Sequence, residues 1–270
     1  MQQLIKFMLI FLLSGVVAAQ PKGIILIGNP RGLTTAFERY MINREDFKVY
    51  HEPLVTHTYS KLYPTEFRSP FAASCDSECV LQQIYTENSG PFFVKEIASF
   101  IVDSKILIQM ARDSKIQVIF LIRKPEQAVL SHFKLRSASP WITKFNVTEH
   151  EANYVHMQKL FFELKTALNK TPLLIDADDL LDNPEFVLNN ICAKLGIGFD
   201  KKTLQWPAGE SRLWANDVNS WQFNVTNSTG FKRSSKMHSL NDIPIAQRAK
   251  LQALIEHNNK IYAQLTKYKT

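Results

Sequence analysis

The sequence predicts an α/β fold: a three-layer sandwich with a central, mainly parallel sheet and helices on both faces. Three observations predict it. Short apolar runs recur at 23–28, 117–122 and 172–176, and continuous apolar runs mark strands buried on both faces. Segments with helical apolar spacing separate them. Punctuation falls where helices should begin and end, with Pro125 and Pro184 at first-turn positions and Gly196 just past a last turn. Alternating strands and helices are the signature of a parallel sheet covered on both sides.

The elements follow in order. Gly23–Gly28 reads as the first strand, 29–33 as a loop and 34–41 as a helix. Residues 47–50 form a second short strand, closed by His51-Glu52-Pro53. Residues 54–90 are polar and aromatic, with Pro64 and Pro70, and read as a long irregular insertion over the sheet edge with one helix near 78–87. Such loops often serve as lids. A third strand is expected at 91–95, a helix at 97–111, the clearest strand at 117–122 and a helix from Pro125. Further helices are expected at 149–169, 183–195 and 244–267, with a fifth strand at 172–176.

The chain has 270 residues, 45% hydrophobic and 21% charged, enough for one sizeable core. Its net charge of +7 is spread out, with no long Lys/Arg run. That excludes a basic nucleic-acid tail and leaves a basic cleft for a smaller anion. Residues 1–19 have the order of a secretory signal: Lys6, an apolar run from Phe7 to Val17, then Val17-Ala18-Ala19 before Gln20. The run is shorter than the ~20 residues of a membrane span. The expectation is an exported chain, with one domain over 20–270 and no transmembrane helix after cleavage; an uncleaved signal anchor is the alternative. Export permits a disulfide. Cys75 and Cys79 can pair only if the local backbone allows it, and Cys192 lies in an apolar helical pattern as a buried thiol. No Cys/His cluster has zinc-ligand spacing, so no metal is expected. Sequons occur at Asn146, Asn169, Asn224 and Asn227.

The loop Gly28-Asn29-Pro30-Arg31-Gly32-Leu33-Thr34-Thr35 joins a strand to a helix. A helix N-terminus offers unpaired N–H groups and a positive dipole end to an anion. The loop is not that of a nucleotide hydrolase, which needs G-x-x-x-x-G-K-S/T; Leu33 and Thr34 stand where that Gly and Lys would be. A second candidate phosphate contact is Arg123, at the carboxyl end of the strand 117–122, where ligands of parallel sheets bind. Ser131 lies eight residues further, about two turns along the next helix. A planar guanidinium suits a phosphate bidentately.

These residues resemble the sulfotransferase family. Pro30-Arg31-Gly32-Leu33-Thr34-Thr35 is similar to its 5′-phosphosulfate loop, departing at Gly32, where serine is common. Arg123 with Ser131 resembles its 3′-phosphate site, and Ser228-Thr229-Gly230-Phe231-Lys232-Arg233 its late basic loop. The similarity spans roughly 22–235 and is nearest the bacterial-type branch. It implies a P-loop-like fold and transfer of a sulfuryl group from PAPS (3′-phosphoadenylyl sulfate) to a hydroxyl or amine of a small molecule or glycan. It implies donor contacts from Arg31, Gly32, Leu33, Thr34, Thr35, Arg123, Ser131, Lys232 and Arg233. Arg31 would neutralise the leaving phosphate, Lys95 would touch the sulfuryl group, and Glu52 would be the general base, with His51 as the other candidate. The family's K-x-H on the third strand reads Lys95-Glu96-Ile97 here, which lacks the histidine and favours Glu52. Glu96 alternates to the other side of the strand. Trp206, Trp214 and Trp221 are candidates for an acceptor pocket or for core. A small-molecule kinase and a non-catalytic binding protein are the competing readings.

Overall fold

A computed structural model describes residues 20–112, 115–138, 152–214, 222–233 and 237–270. The expected leader at 1–19, Asn146 and Trp221 lie outside the described residues. Five strands, β1 (Gly23–Gly28), β2 (Lys48–His51), β3 (Phe92–Ile97), β4 (Ile116–Ile122) and β5 (Leu173–Asp176), form one sheet in the order β2-β3-β1-β4-β5. Every pairing is parallel. All carboxyl ends therefore open on one edge, where loops gather and ligands of such sheets bind.

The apolar runs are continuous because the sheet is covered on both faces. In β1, Ile25 and Ile27 join the cluster on one side, and Ile24 and Leu26 the cluster on the other. The first face carries α2 (Pro53–Leu62), α3 (Ser77–Glu87), α4 (Lys105–Arg112) and α6 (Val155–Leu168), through residues such as Leu54, Ile84, Leu107 and Phe161. The second carries α1 (Thr34–Arg44), the short α7 (Ala177–Asp182) and α8 (Pro184–Leu195), through Phe37, Tyr40, Leu180, Leu188 and Ile191. Each such buried side chain stabilises the fold by about 1.5–3 kcal/mol. Between β4 and α6, α5 (Pro125–Ala138) packs on the long α10 (Ile245–Leu265), Val129, Leu130 and Phe133 meeting Leu251 and Ile255; the single-turn α9 (Phe223–Thr226) precedes α10. Among the described residues, no helix is long and apolar enough to cross a membrane.

Two expectations are corrected. The insertion 54–90 is not irregular at its start, because α2 occupies 53–62. Only Pro53, Leu54 and His57 of that helix are buried, so its apolar stripe spans barely one turn and gives little periodic signal. His57 is held inside because both ring nitrogens have partners, Ser69 Oγ and the Cys75 carbonyl, each at 2.9 Å. Cys75 and Cys79 are disulfide-bonded, with Cα atoms 5.3 Å apart, so α2, the segment after it and the start of α3 are stitched together. The helix expected over 97–111 is shorter. The strand continues through Ile97, a 3₁₀ turn occupies Ala98–Phe100, and α4 begins at Lys105. Asp103 Oδ1 accepts from Lys105 N at 2.9 Å at the start of α4; this local cap outweighs the apolar spacing upstream. Cys192 is a free, buried thiol, as expected.

Candidate active site

The loop after β1 is tightly wound. Arg31 and Leu33 take left-handed backbone angles (φ 62° and 76°), and Gly32 N donates to Asn29 O at 3.0 Å. A Cβ on Gly32 would lie 2.8 Å from that same carbonyl oxygen. The departure from the family's serine therefore has a physical cause: this turn has no room for a side chain at 32. A Cβ on Gly28 would lie 2.3 Å from Thr34 Cγ2, so the first turn of α1 rests directly on the end of β1. The first helical bonds run from Ala36 N and Phe37 N to Leu33 O, both at 3.1 Å. The N–H groups of Thr34 and Thr35 precede them, in the position that binds anions at helix starts. The cap position is Leu33, without a side-chain cap, so the Thr34 hydroxyl does not serve as the helix cap.

The two phosphate-binding sets proposed from sequence meet each other. Arg31 Nε donates to Ser131 Oγ at 3.1 Å, and an Arg123 Nη donates to the Arg31 carbonyl at 2.9 Å. Tyr154 fixes the end of β4 by donating to Arg123 O at 2.6 Å. Burial, and then the charge of Arg123, push the Arg31 guanidinium down to about 10. Burial also lowers Arg123, whose buried Nε has no hydrogen-bond partner. His238 is held below the usual histidine range by burial and by Lys134, Arg123 and Arg31. Two half-buried guanidiniums side by side repel each other, and an anion placed between them would offset that cost. They line a cavity of about 330 Å³ with Thr34, Thr35, Gly230 and Lys232, in the size range of small-ligand clefts.

Not every sequence candidate points there. Leu33 lines the cavity, and Lys232 does so from an exposed position, 3.5 Å from Thr229 Oγ1. Arg233 instead grips Asp178 and Asp182, with contacts of 2.7 and 2.8 Å. Trp206 is core: its Nε1 donates to Ser228 Oγ at 3.1 Å and its ring meets Phe231 at 5.2 Å.

Next to the loop, at the carboxyl ends of β2 and β3, a second group assembles. Lys95 pairs in register with Leu26 of β1 and is 1% exposed. Its Nζ contacts Glu52 Oε1. Glu52 stands at the N-terminus of α2 with φ 42°, its N–H on Lys95 O at 2.9 Å, so the turn into α2 aims the carboxylate at the lysine. Glu96 faces the other side, as alternation requires. Both its oxygens accept backbone N–H groups, from Leu54 (2.7 Å) and Ile97 (2.8 Å), and burial followed by the Glu52 charge pushes it up to about 8. His51 Nδ1 lies 2.9 and 2.7 Å from the two carboxylate oxygens of Glu38, which also accepts from Trp214 Nε1 at 3.3 Å. Sequence reasoning missed Glu38. Its signal was helical: four residues after Thr34, it shares the face of α1 that carries Phe37 and Met41 into the core.

This geometry agrees with the comparisons. A profile described as a sulfotransferase domain matches residues 22–246. The chain belongs to the sulfotransferase family. Two solved sulfotransferase domains share the fold. That of the Synechococcus PCC 7002 olefin synthase has TM-score 0.53 at 17% identity, covering 88% of this chain and 94% of that one. Mouse sulfotransferase SULT7A1, solved as a complex with PAP, has TM-score 0.52 at 12% identity, covering 92% and 88%. Among curated proteins, branched-chain-amino-acid aminotransferase-like protein 2 of Arabidopsis thaliana is 28% identical over 217 residues, 77% of this chain and 36% of the relative. Branched-chain-amino-acid aminotransferase-like protein 1, also of Arabidopsis thaliana, is 28% identical over 232 residues, 81% of this chain and 38% of the relative. The chain thus spans little more than a third of the curated relatives it matches. Family and fold support a transferase.

Proposed function

We propose that this sulfotransferase uses PAPS as donor and sulfates a hydroxyl or amine of a small molecule or glycan. The observation that carries the reading is the convergence of Arg31 and Arg123, both half-buried, on one cavity beside the start of α1, with Arg31 held on Ser131. That cluster suits a ligand with two separate phosphate groups. The residues fit: Arg123 keeps a buried Nε without a partner, and the turn at Gly32 keeps the loop free of a side chain. PAP in the mouse neighbour lends support, since PAP is what PAPS becomes after transfer.

When bound, PAPS supplies an activated sulfuryl group on a phosphate leaving group. Arg31, with Thr34 and Thr35, would hold the 5′ side and neutralise the charge that develops on departure. Arg123 and Ser131 would hold the 3′-phosphate, with Lys232 closing from the late loop, while Arg233 braces that loop through Asp178 and Asp182. Lys95 would stabilise the sulfuryl oxygens, and Glu52 would take the acceptor's proton. Positioning and fixed charge carry most of the catalysis in such group transfers. We further propose that the leader at 1–19 directs export and that 20–270 is one domain; the Cys75–Cys79 disulfide is consistent with an oxidising compartment.

The test is label transfer. Incubated with ³⁵S-PAPS and a panel of alcohols, phenols, amines and glycans, the mature chain should label at least one acceptor. Transfer of ³²P from γ-labelled ATP without any ³⁵S transfer would overturn the reading in favour of a kinase.

A further inference from the structure

Behind Glu52 lies an ionisable pair that the roles above leave unused. Glu38 is 0% exposed, and a buried carboxylate needs donors or a cation. Its donors are Trp214 Nε1 and His51 Nδ1, at 3.3 and 2.7 Å. An ionised carboxylate only accepts hydrogen bonds, so Nδ1 carries the ring proton and Nε2 is the basic nitrogen. Nε2 lies 4.0 Å from Glu52 Oε2 and 3.5 Å from Gln222 Nε2. Among the described residues, the charged groups seen facing this ring include Glu38 from α1, Glu52 from the turn and, through Glu52, Lys95 from β3. Glu96 lies on the other side of β3, and Arg39 stacks on Trp214 with its guanidinium 5.4 Å from the ring.

We propose that Glu38 is a positioning residue that fixes the Nδ1–H tautomer of His51, so that His51 Nε2 receives the acceptor's proton from Glu52. This rests on the sulfotransfer reading. As the acceptor's O–H or N–H bond breaks, its proton goes to Glu52 while the acceptor atom bonds to sulfur and the sulfur–phosphate oxygen bond opens. Glu52 then passes the proton to Nε2. The reason is charge balance. Protonating Glu52 removes negative charge from beside the buried Lys95 ammonium. Once the proton is on His51, each cation sits against its own carboxylate: Lys95 on Glu52, His51 on Glu38. The 4.0 Å gap exceeds a hydrogen bond, and a small rotation of the Glu52 side chain on substrate binding closes it.

The test begins without substrate. Long-range ¹H–¹⁵N spectra of the labelled mature chain should show His51 in the Nδ1–H form. In Glu38→Gln, which keeps the shape, its titration midpoint should fall by about one pH unit or more, because the imidazolium loses its counter-charge. With PAPS and a labelled acceptor, the acid limb of kcat/KM should move down in pH in the same variant. In a His51→Gln background, Glu38→Gln should cost less than about twofold further in kcat, since coupled groups are not additive. Binding of adenosine 3′,5′-bisphosphate should be unchanged throughout. An Nε2–H tautomer, an unmoved His51 titration or additive losses would overturn the proposal. If the spectra agree but no acceptor is ever sulfated, the sulfotransfer reading fails and takes the relay with it, while the pairing itself stands.

Discussion

Arg31→Ala is expected to abolish donor binding and leave the ligand-free protein no less stable. The guanidinium is half-buried beside Arg123, and desolvation and that neighbour together push it down to about 10. Without ligand its contacts include a hydrogen bond to Ser131 Oγ at 3.1 Å, set against the repulsion of Arg123. With ligand it would supply a preorganised charge where negative charge develops, and loss of one such donor typically costs roughly 10²–10³-fold in kcat. The variant should therefore unfold in urea at an unchanged or higher midpoint while its activity falls by that factor. A structural arginine would behave in the opposite way, with the midpoint dropping and the affinity surviving.

Glu52→Gln is expected to lower kcat by roughly 10²–10⁴-fold, the usual contribution of a positioned base, with donor affinity nearly unchanged. It should also destabilise the fold. Lys95 is 1% exposed and contacts Glu52, whose own side chain is 17% exposed. Removing the Glu52 charge weakens the compensation of the buried ammonium, and breaking a buried pair in this way costs about 3 kcal/mol. The double variant Glu52→Gln/Lys95→Met should recover the urea midpoint, because neither charge remains, yet stay inactive. Recovery of activity along with stability would mean that the pair only holds the turn into α2.

The sheet was legible because strands covered on both faces must be apolar throughout, as in Ile24–Ile27 and Val118–Ile122. The phosphate loop was legible for a related reason: strand end, glycine and helix start are contiguous in the chain. Arg123 and Ser131 could be placed because strand and helix geometry fixes what a residue eight positions on can reach. What could not be read depends on distant partners. Arg233 looks like any other cation of a basic loop until Asp178 and Asp182 are seen beside it. Glu38 reads as an ordinary charge on α1, because the groups that make its burial tolerable are His51 and Trp214, the latter 176 residues away. The α2 helix escaped notice because its buried face is two apolar residues and a histidine, whose ring is satisfied by Ser69 and the Cys75 carbonyl.

Arg31 and Arg123 are proposed to form one site for a ligand with two phosphate groups. The most direct test is thermal unfolding of residues 20–270 with adenosine 3′,5′-bisphosphate, compared with ATP and AMP. At about 100 times its Kd, a ligand that binds only the folded state stabilises by about 2.7 kcal/mol. For a domain of this size that is a rise in Tm of roughly 5–10 °C. The expected result is such a rise with the bisphosphate, a much smaller one with AMP or ATP, and none in Arg31→Ala or Arg123→Ala. An absent shift, or an equal shift with ATP, would contradict the account.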